Sequence, residues 1–316
     1  MIWGWKITPK STKTIVPQIL RNDLGEYITI SNLAVDSNNL YAADSAGGLT
    51  AWNKPSFDSP KRIPGQTSTY ILSLHSDGKY VYSGSDSGDP VVRVYDQDLD
   101  LFEVLKGHVG SVFSIVSDSD FLFTGSGDAT VKIWTKDEWV NIDSIKAQTH
   151  FVLCLVIDDK YIYAGGIDNC TNVFSRDTLR RVTSLYGHEA TICSVAVDAD
   201  NVYSGSGELW WGGPGSPRPP VFETAIRVWD RKDWSCKEVL RGHSDNVNAL
   251  AVDDSYIYSV SDDGTLRVYS KSDWSEVIIL NSGVGRITDL VLDESHVYFG
   301  CADGNIRYFS KSELST

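Results

Sequence analysis

The 316-residue chain is 41% apolar and 22% charged, an ordinary globular composition, and it has no run of ~18 apolar residues that could cross a bilayer as a helix. A formal charge of −14 and a sequence pI of about 4.8 repel phosphates and argue against a broad nucleic-acid footprint. The five cysteines, Cys154, Cys170, Cys193, Cys236 and Cys301, are odd in number and form no C-x-x-C pair. That pattern fits free thiols in a reducing compartment and offers no zinc cluster. Residues 1–10 lack the basic-then-apolar pattern of a secretory signal, so a cytoplasmic protein without membrane association is expected.

In chain order, residues 13–19 (KTIVPQI) read as a strand standing before the first complete unit. A unit of about forty residues then recurs seven times: an apolar pair, Asp, aromatic-x-Tyr, Ser-Gly-Ser, a turn, and an alternating strand ending in an aromatic. Its marker aromatics are Tyr41, Tyr82, Phe123, Tyr163, Tyr203, Tyr258 and Tyr298, spaced by 41, 41, 40, 40, 55 and 40 residues. Such a period marks a propeller or solenoid, because one unit cannot bury its own apolar face. The third unit shows the internal order: segments 112–116, 121–125 and 130–134, then an outer segment 140–145. Short runs rich in Val, Ile, Tyr and Trp, bounded by Gly, Ser and Asp, are strands. Residues 1–316 are therefore predicted to form one all-β domain, a seven-bladed propeller of four-stranded antiparallel blades. The seventh unit stops after its third strand, so segment 13–19 is predicted to supply the fourth, closing the ring and covering a sheet edge.

The fifth unit carries about fifteen extra residues between its second and third strands, in the loop 207–224 (GELWWGGPGSPRPPVFET). Its glycines allow tight turns and its prolines limit the entropy lost on ordering. Trp210 and Trp211 would anchor this loop either on the propeller or on a partner. The residues before the seven inner strands are Thr29, Tyr70, Ser111, Phe151, Thr191, Asn246 and Arg286, which should form one ring on the same face. Tyr70, Phe151, Asn246 and Arg286 are the expected partner contacts beside Trp210 and Trp211. A third set, Trp139, Trp234 and Trp274 with Phe57, Leu179 and Leu314, recurs at the turn after the third strand. Recurrence in nearly every blade points to turn packing there.

Gly-His pairs at Gly107-His108, Gly187-His188 and Gly242-His243, with strand ends Trp229-Asp230 and Tyr95-Asp96 and Trp52 and Trp134 in equivalent places, make the chain resemble the WD40-repeat β-propeller family over nearly its whole length. The resemblance implies a structural network of Gly-His imidazole, strand Ser or Thr, turn Asp and strand Trp. Repeat three supplies His108, Thr124 or Ser126, Asp128 and Trp134. Repeat six supplies His243, Ser259 or Ser261, and Asp263, with Tyr269 in place of Trp. Repeat five keeps His188 and Trp229 but loses the turn Asp to its insertion. Glu26, Thr67, Gln148 and Gly283 stand where the other repeats would have His, so those blades are expected to be less rigid or held by packing alone.

The resemblance further implies a non-catalytic scaffold for a protein or peptide partner. A lectin-like, small-ligand role for Trp210 and Trp211 is the alternative. The Gly-His histidines lie on different blades and cannot converge on one nucleophile. No phosphate-cradling loop or His-x-x-x-His spacing is present, and paired acids such as Asp262-Asp263 fall in turns. No catalytic residue, metal or cofactor is predicted.

Overall fold

The computed structural model describes residues 15–21, 28–65, 69–208 and 223–314; Trp210, Trp211, Glu26 and Thr67 lie outside them. Within the described residues, the alternating segments form seven antiparallel sheets of four strands. Blade 3 is typical, with Val112–Ser117, Phe121–Ser126, Thr130–Thr135 and Asn141–Lys146 in spatial order from the axis outward. Each blade's inner strand packs on that of the next. Ile30–Val35 of blade 1 meets Ile287–Leu292 of blade 7, which completes the ring. The described residues contain no helix long and apolar enough to cross a membrane.

The last blade is completed from the other end of the chain. Gln18–Leu20 pairs antiparallel with Ile306–Ser310, in the register Gln18↔Tyr308 to Leu20↔Ile306. The pairing starts later than the predicted 13–19. Pro17 has no N–H to give a ladder and marks its beginning.

The core lies between blades. One cluster joins Tyr82, Val92 and Val94 of blade 2 to Val112, Ile115 and Trp134 of blade 3, and such side chains contribute roughly 1.5–3 kcal/mol each on full burial. The seven marker aromatics are all at most 2% exposed. Every inner strand is irregular within two residues of its start, as between Val112 and Ser114 or Ile287 and Asp289. Such bulges re-aim a side chain. Here the re-aimed groups latch onto the following blade: Ser73 Oγ donates to Val112 O at 2.9 Å and Ser194 Oγ to Val247 O at 3.0 Å.

Charge clamps secure the opposite ends of the same interfaces. Asp77, Asp118, Asp158, Asp198, Asp253 and Asp293 each turn one carboxylate oxygen onto backbone N–H groups of their own turn, as Asp77 does for Lys79 and Tyr80. In five of these turns the other oxygen accepts the marker Tyr hydroxyl. All six acids meet a cation from the next blade. Lys136 reaches Asp77 at 2.6 Å, Lys271 reaches Asp198 at 2.6 Å, Lys311 reaches Asp253 at 3.3 Å and Lys54 reaches Asp293 at 2.7 Å. Arg176 pairs with Asp118 and Arg231 with Asp158. At the remaining joint, Gln97 takes the cation's place and bonds Tyr41 and Asn39. Burial alone would raise the Asp77 pKa, but the Lys136 ammonium, the Tyr82 hydroxyl and the turn N–H groups together hold it down to about 2.

The recurring turn hydrophobes act beside these clamps. Phe57, Leu99, Trp139, Leu179, Trp234 and Trp274 all have φ between 55° and 64°, a left-handed conformation that costs a non-glycine residue roughly 1–2 kcal/mol. Packing on the preceding blade offsets that cost. Trp139 meets Tyr80 of blade 2 at 5.2 Å between ring centroids, Trp234 meets Tyr161 of blade 4 at 5.4 Å, and Phe57 meets Tyr308 of blade 7 at 5.3 Å.

Candidate functional site

Blade 3 contains a continuous hydrogen-bonded chain from core to turn. The Trp134 indole N–H donates to Thr124 Oγ1 at 2.9 Å, Thr124 Oγ1 lies 2.7 Å from His108 Nε2, and His108 Nδ1 lies 2.7 Å from Asp128 Oδ2. An ionised Asp128 can only accept, so Nδ1 carries the proton and Nε2 accepts from Thr124. Asp128 also receives the Val109 and Thr130 N–H groups. Its carboxyl is held well below the usual range, the His108 contact and these donors outweighing burial. Ser126 lies outside the chain and instead donates to Gly110 O. In blade 6, His243 joins Ser259 at 2.8 Å and Asp263 at 2.9 Å, while the buried Tyr269 hydroxyl has no hydrogen-bond partner among the described residues.

Blade 5 departs from expectation. The sequence places no turn Asp here, yet His188 Nδ1 lies 2.8 Å from Glu223 Oε2. Glu223 is buried, receives the Glu189 N–H at 2.9 Å and pairs with Arg227 at 3.0 Å. Burial would raise its pKa, but His188 and the Glu189 N–H hold it down to about 2. On the strand side, Trp229 donates to Ser204, 2.7 Å from His188 Nε2. The insertion thus returns a carboxylate at its far end.

Blades without the histidine are not held by packing alone, because other polar anchors replace it. Arg62 bonds Asp44 at 2.7 Å in blade 1, Arg93 bonds Asp89 at 2.6 Å in blade 2, and Arg307 grips Asp303 at 3.0 and 2.9 Å in blade 7. In blade 4 the buried Gln148 amide donates to Ala164 O at 2.7 Å.

These turns and the starts of the inner strands share one face. A single repeated bond places the expected ring, with the residue after the second strand donating to Thr29, Tyr70, Ser111, Phe151, Asn246 or Arg286 O, while Thr191 pairs with Gly207. The side chains diverge within that ring. Tyr70 is 57% exposed and Arg286 is exposed. Phe151 leans on Phe113 at 5.8 Å and is half-buried. Asn246 is a correction: it is buried, and its amide is used in holding the base of the insertion, accepting from Glu208 N at 2.6 Å and donating to Glu208 O at 3.0 Å. The other end of the insertion is fixed by Glu223 and by Thr224, which donates to His243 O at 2.6 Å.

Sequence reasoning missed three exposed hydrophobes on this face: Val109 at 84%, Tyr186 at 70% and Val284 at 38%. Val109 and Val284 lie in loops that lead into inner strands and Tyr186 ends the outer strand before one, two of the three next to a Gly-His pair. That adjacency was the available signal.

The model of the WD domain, G-beta repeat, matches residues 58–96, 100–135 and 234–270. Each match runs from near the outer strand of one blade through the third strand of the next, the offset that leaves the last blade to be closed by an N-terminal strand. Three of the chain's repeats are therefore WD40 repeats, set in a seven-bladed propeller. The chain is similar to cell division control protein 4 of Saccharomyces cerevisiae, at 34% identity over 90 residues, 27% of this chain and 11% of that protein. It is also similar to nuclear distribution protein PAC1 of Candida tropicalis, at 28% identity over 104 residues, 31% of this chain and 21% of that protein. The matched stretches thus span less than a quarter of either relative.

Proposed function

We propose that the face carrying the Gly-His turns captures a protein or peptide partner, and that the propeller is a scaffold without chemistry of its own. The observation behind this reading is the exposed apolar set on that face, Tyr70, Val109, Tyr186 and Val284, beside Arg286 and around an insertion gripped at both ends. Exposed hydrophobes gathered at one face mark interaction sites, and Tyr and Arg are frequent hot spots. Trp210 and Trp211, in the insertion, belong to the same proposed surface. The imidazoles support a structural role, since both nitrogens of His108, His188 and His243 are engaged within their own blades. Burial pushes the Cys170 and Cys301 thiols up to about 11 and Cys193 to about 12, which keeps them unreactive and fits the reducing cytoplasm we assign to the protein.

The test is affinity capture with wild type and with the quadruple variant Trp210→Ala, Trp211→Ala, Tyr70→Ala, Arg286→Ala, followed by reconstitution with the purified partner. Loss of one partner, with stability changed by no more than ~0.5 kcal/mol, is expected. Capture unaffected by all four substitutions would move the site off this face.

A further inference from the structure

Between blades 2 and 3, four rings pack together near the clamp of Asp77 and Lys136. Trp139 meets Tyr80 at 5.2 Å and Tyr82 at 6.3 Å between centroids, and Phe102 meets Tyr80 at 5.2 Å and Trp139 at 6.1 Å. The same four positions between blades 3 and 4 hold Leu179, Phe121, Phe123 and Ile142. Leu179 stands four residues after its strand with φ 55°, as Trp139 does with φ 58°, so the two side chains start from the same backbone geometry. Ile142 and Phe102 are each the residue that the outer ladder skips. The exchange removes two rings. In their place is a cleft of about 490 Å³, open to solvent, whose apolar lining is Phe121, Phe123, Ile133, Ile142 and Leu179. Ile142 is 52% exposed.

The polar part of the lining has one sign. Asp120, Asp143, Asp159 and Asp177 are exposed there and meet no cation among the described residues. Arg176, the single base, is taken by Asp118 and by Asp158 O, and its guanidinium lies 5.2 Å from the centre of the Phe123 ring. Neighbouring carboxylates repel one another, and a cation among them relieves that repulsion. The apolar lining calls for a ring, which would restore the aromatic packing of the joint between blades 2 and 3. The carboxylates call for positive charge on either side of it. An open cleft with both requirements suits an extended peptide better than a small molecule, whose sites enclose most of the ligand. All of the lining, from Asp118 to Leu179, is described, and no undescribed segment adjoins any of it in the chain. The cleft lies beside the Asp118–Arg176 clamp, at the opposite end of the joint from the Gly-His turns.

We propose that the cleft between blades 3 and 4 is a second docking surface, and that it takes an extended segment of a partner protein in which one aromatic side chain is flanked by Lys or Arg.

The experiment titrates the full chain by calorimetry with the capped peptide Lys-Lys-Trp-Lys-Lys, beside Lys-Lys-Ala-Lys-Lys and Glu-Glu-Trp-Glu-Glu. Wild type should prefer the first over the alanine peptide by about tenfold, lose affinity for it as salt is raised, and leave the acidic peptide unbound. Leu179→Trp supplies the missing ring from within and should abolish binding. If that variant fails to fold, Ile142→Lys, at an exposed position, sets a cation in the cleft and should weaken binding about tenfold or more. Asp159→Asn together with Asp177→Asn should weaken it about fivefold and flatten the salt dependence. The quadruple variant of the Gly-His face should bind as wild type does, which separates this surface from that one. The proposal is overturned if wild type does not bind the tryptophan peptide at roughly 1 mM, or binds the alanine peptide equally well. It is equally overturned if a folded Leu179→Trp or Ile142→Lys variant binds as wild type does, or if the quadruple variant loses the peptide.

Discussion

Blades 3 and 5 build the same chain of indole, hydroxyl, imidazole and carboxylate from different stretches of sequence. In blade 3 the acid is Asp128, twenty residues after its histidine; in blade 5 it is Glu223, thirty-five residues after, beyond an insertion. The longer Glu side chain also reaches Arg227, which Asp128 has no counterpart for. What the fold requires is a carboxylate at one point in space beside a buried imidazole. The loop between can change freely as long as it brings that group back. The Gly-His face can thus carry a long variable segment without loosening the blade beneath it.

That equivalence can be broken in graded steps. Trp134→Ala and Trp229→Ala should each cost about 3–5 kcal/mol in denaturant unfolding, since each removes a buried indole and the donor to Thr124 or Ser204. A much smaller loss for Trp229 would show that blade 5 does not depend on its chain as blade 3 does. Glu223→Ala should cost about 3 kcal/mol and Asp128→Ala about 2, because the first strands both His188 and Arg227. With its folded pKa depressed to about 2, Glu223 contributes stability that is present above its ordinary range near 4.5 and lost as the pH falls towards 2. Glu223→Gln should therefore flatten the acid limb of the stability profile.

The smallest effect contrasts this face with the inner strand of blade 7. Asp289, at the latch position of blade 7, accepts Leu33 N–H at 2.6 Å from blade 1 and has no cation partner among the described residues. Burial pushes its pKa up to about 6. A raised carboxyl stabilises the fold below its unfolded value and loses that contribution as the pH rises through about 6. Asp289→Asn should thus raise neutral-pH stability by about 1 kcal/mol and remove the change between pH 4 and 6. An unchanged melting temperature at pH 7 would show the carboxylate to be well solvated.

The strand framework was legible because Tyr82, Gly84 and Asp128 recur in register with their counterparts, and a period of about forty residues has few architectural solutions. The blade 3 tetrad was legible for the same reason. Glu223 was not, because the insertion destroys the register that would have pointed to it. The clamps were missed because their partners are 58 residues apart for Asp118 and Arg176 and 73 for Asp158 and Arg231, and pairing them requires knowing which blades touch. A signal existed nevertheless: Lys54, Lys136, Arg176, Arg231, Lys271 and Lys311 all recur just after the third strand. The burial of Asn246 was illegible, since it depends on where the backbone of Glu208 runs.

The clamps also give the ring a handed polarity. Blades 3 to 7 each present an acid to their successor and a base to their predecessor, like subunits joined head to tail in a cyclic oligomer. Blade 2 presents Gln97 where the others present a base. Tandem duplication of any blade from 3 to 7 would then preserve its complementary contacts, whereas a copied blade 2 would leave Asp77 of the first copy facing Gln97 of the second, without a counterion.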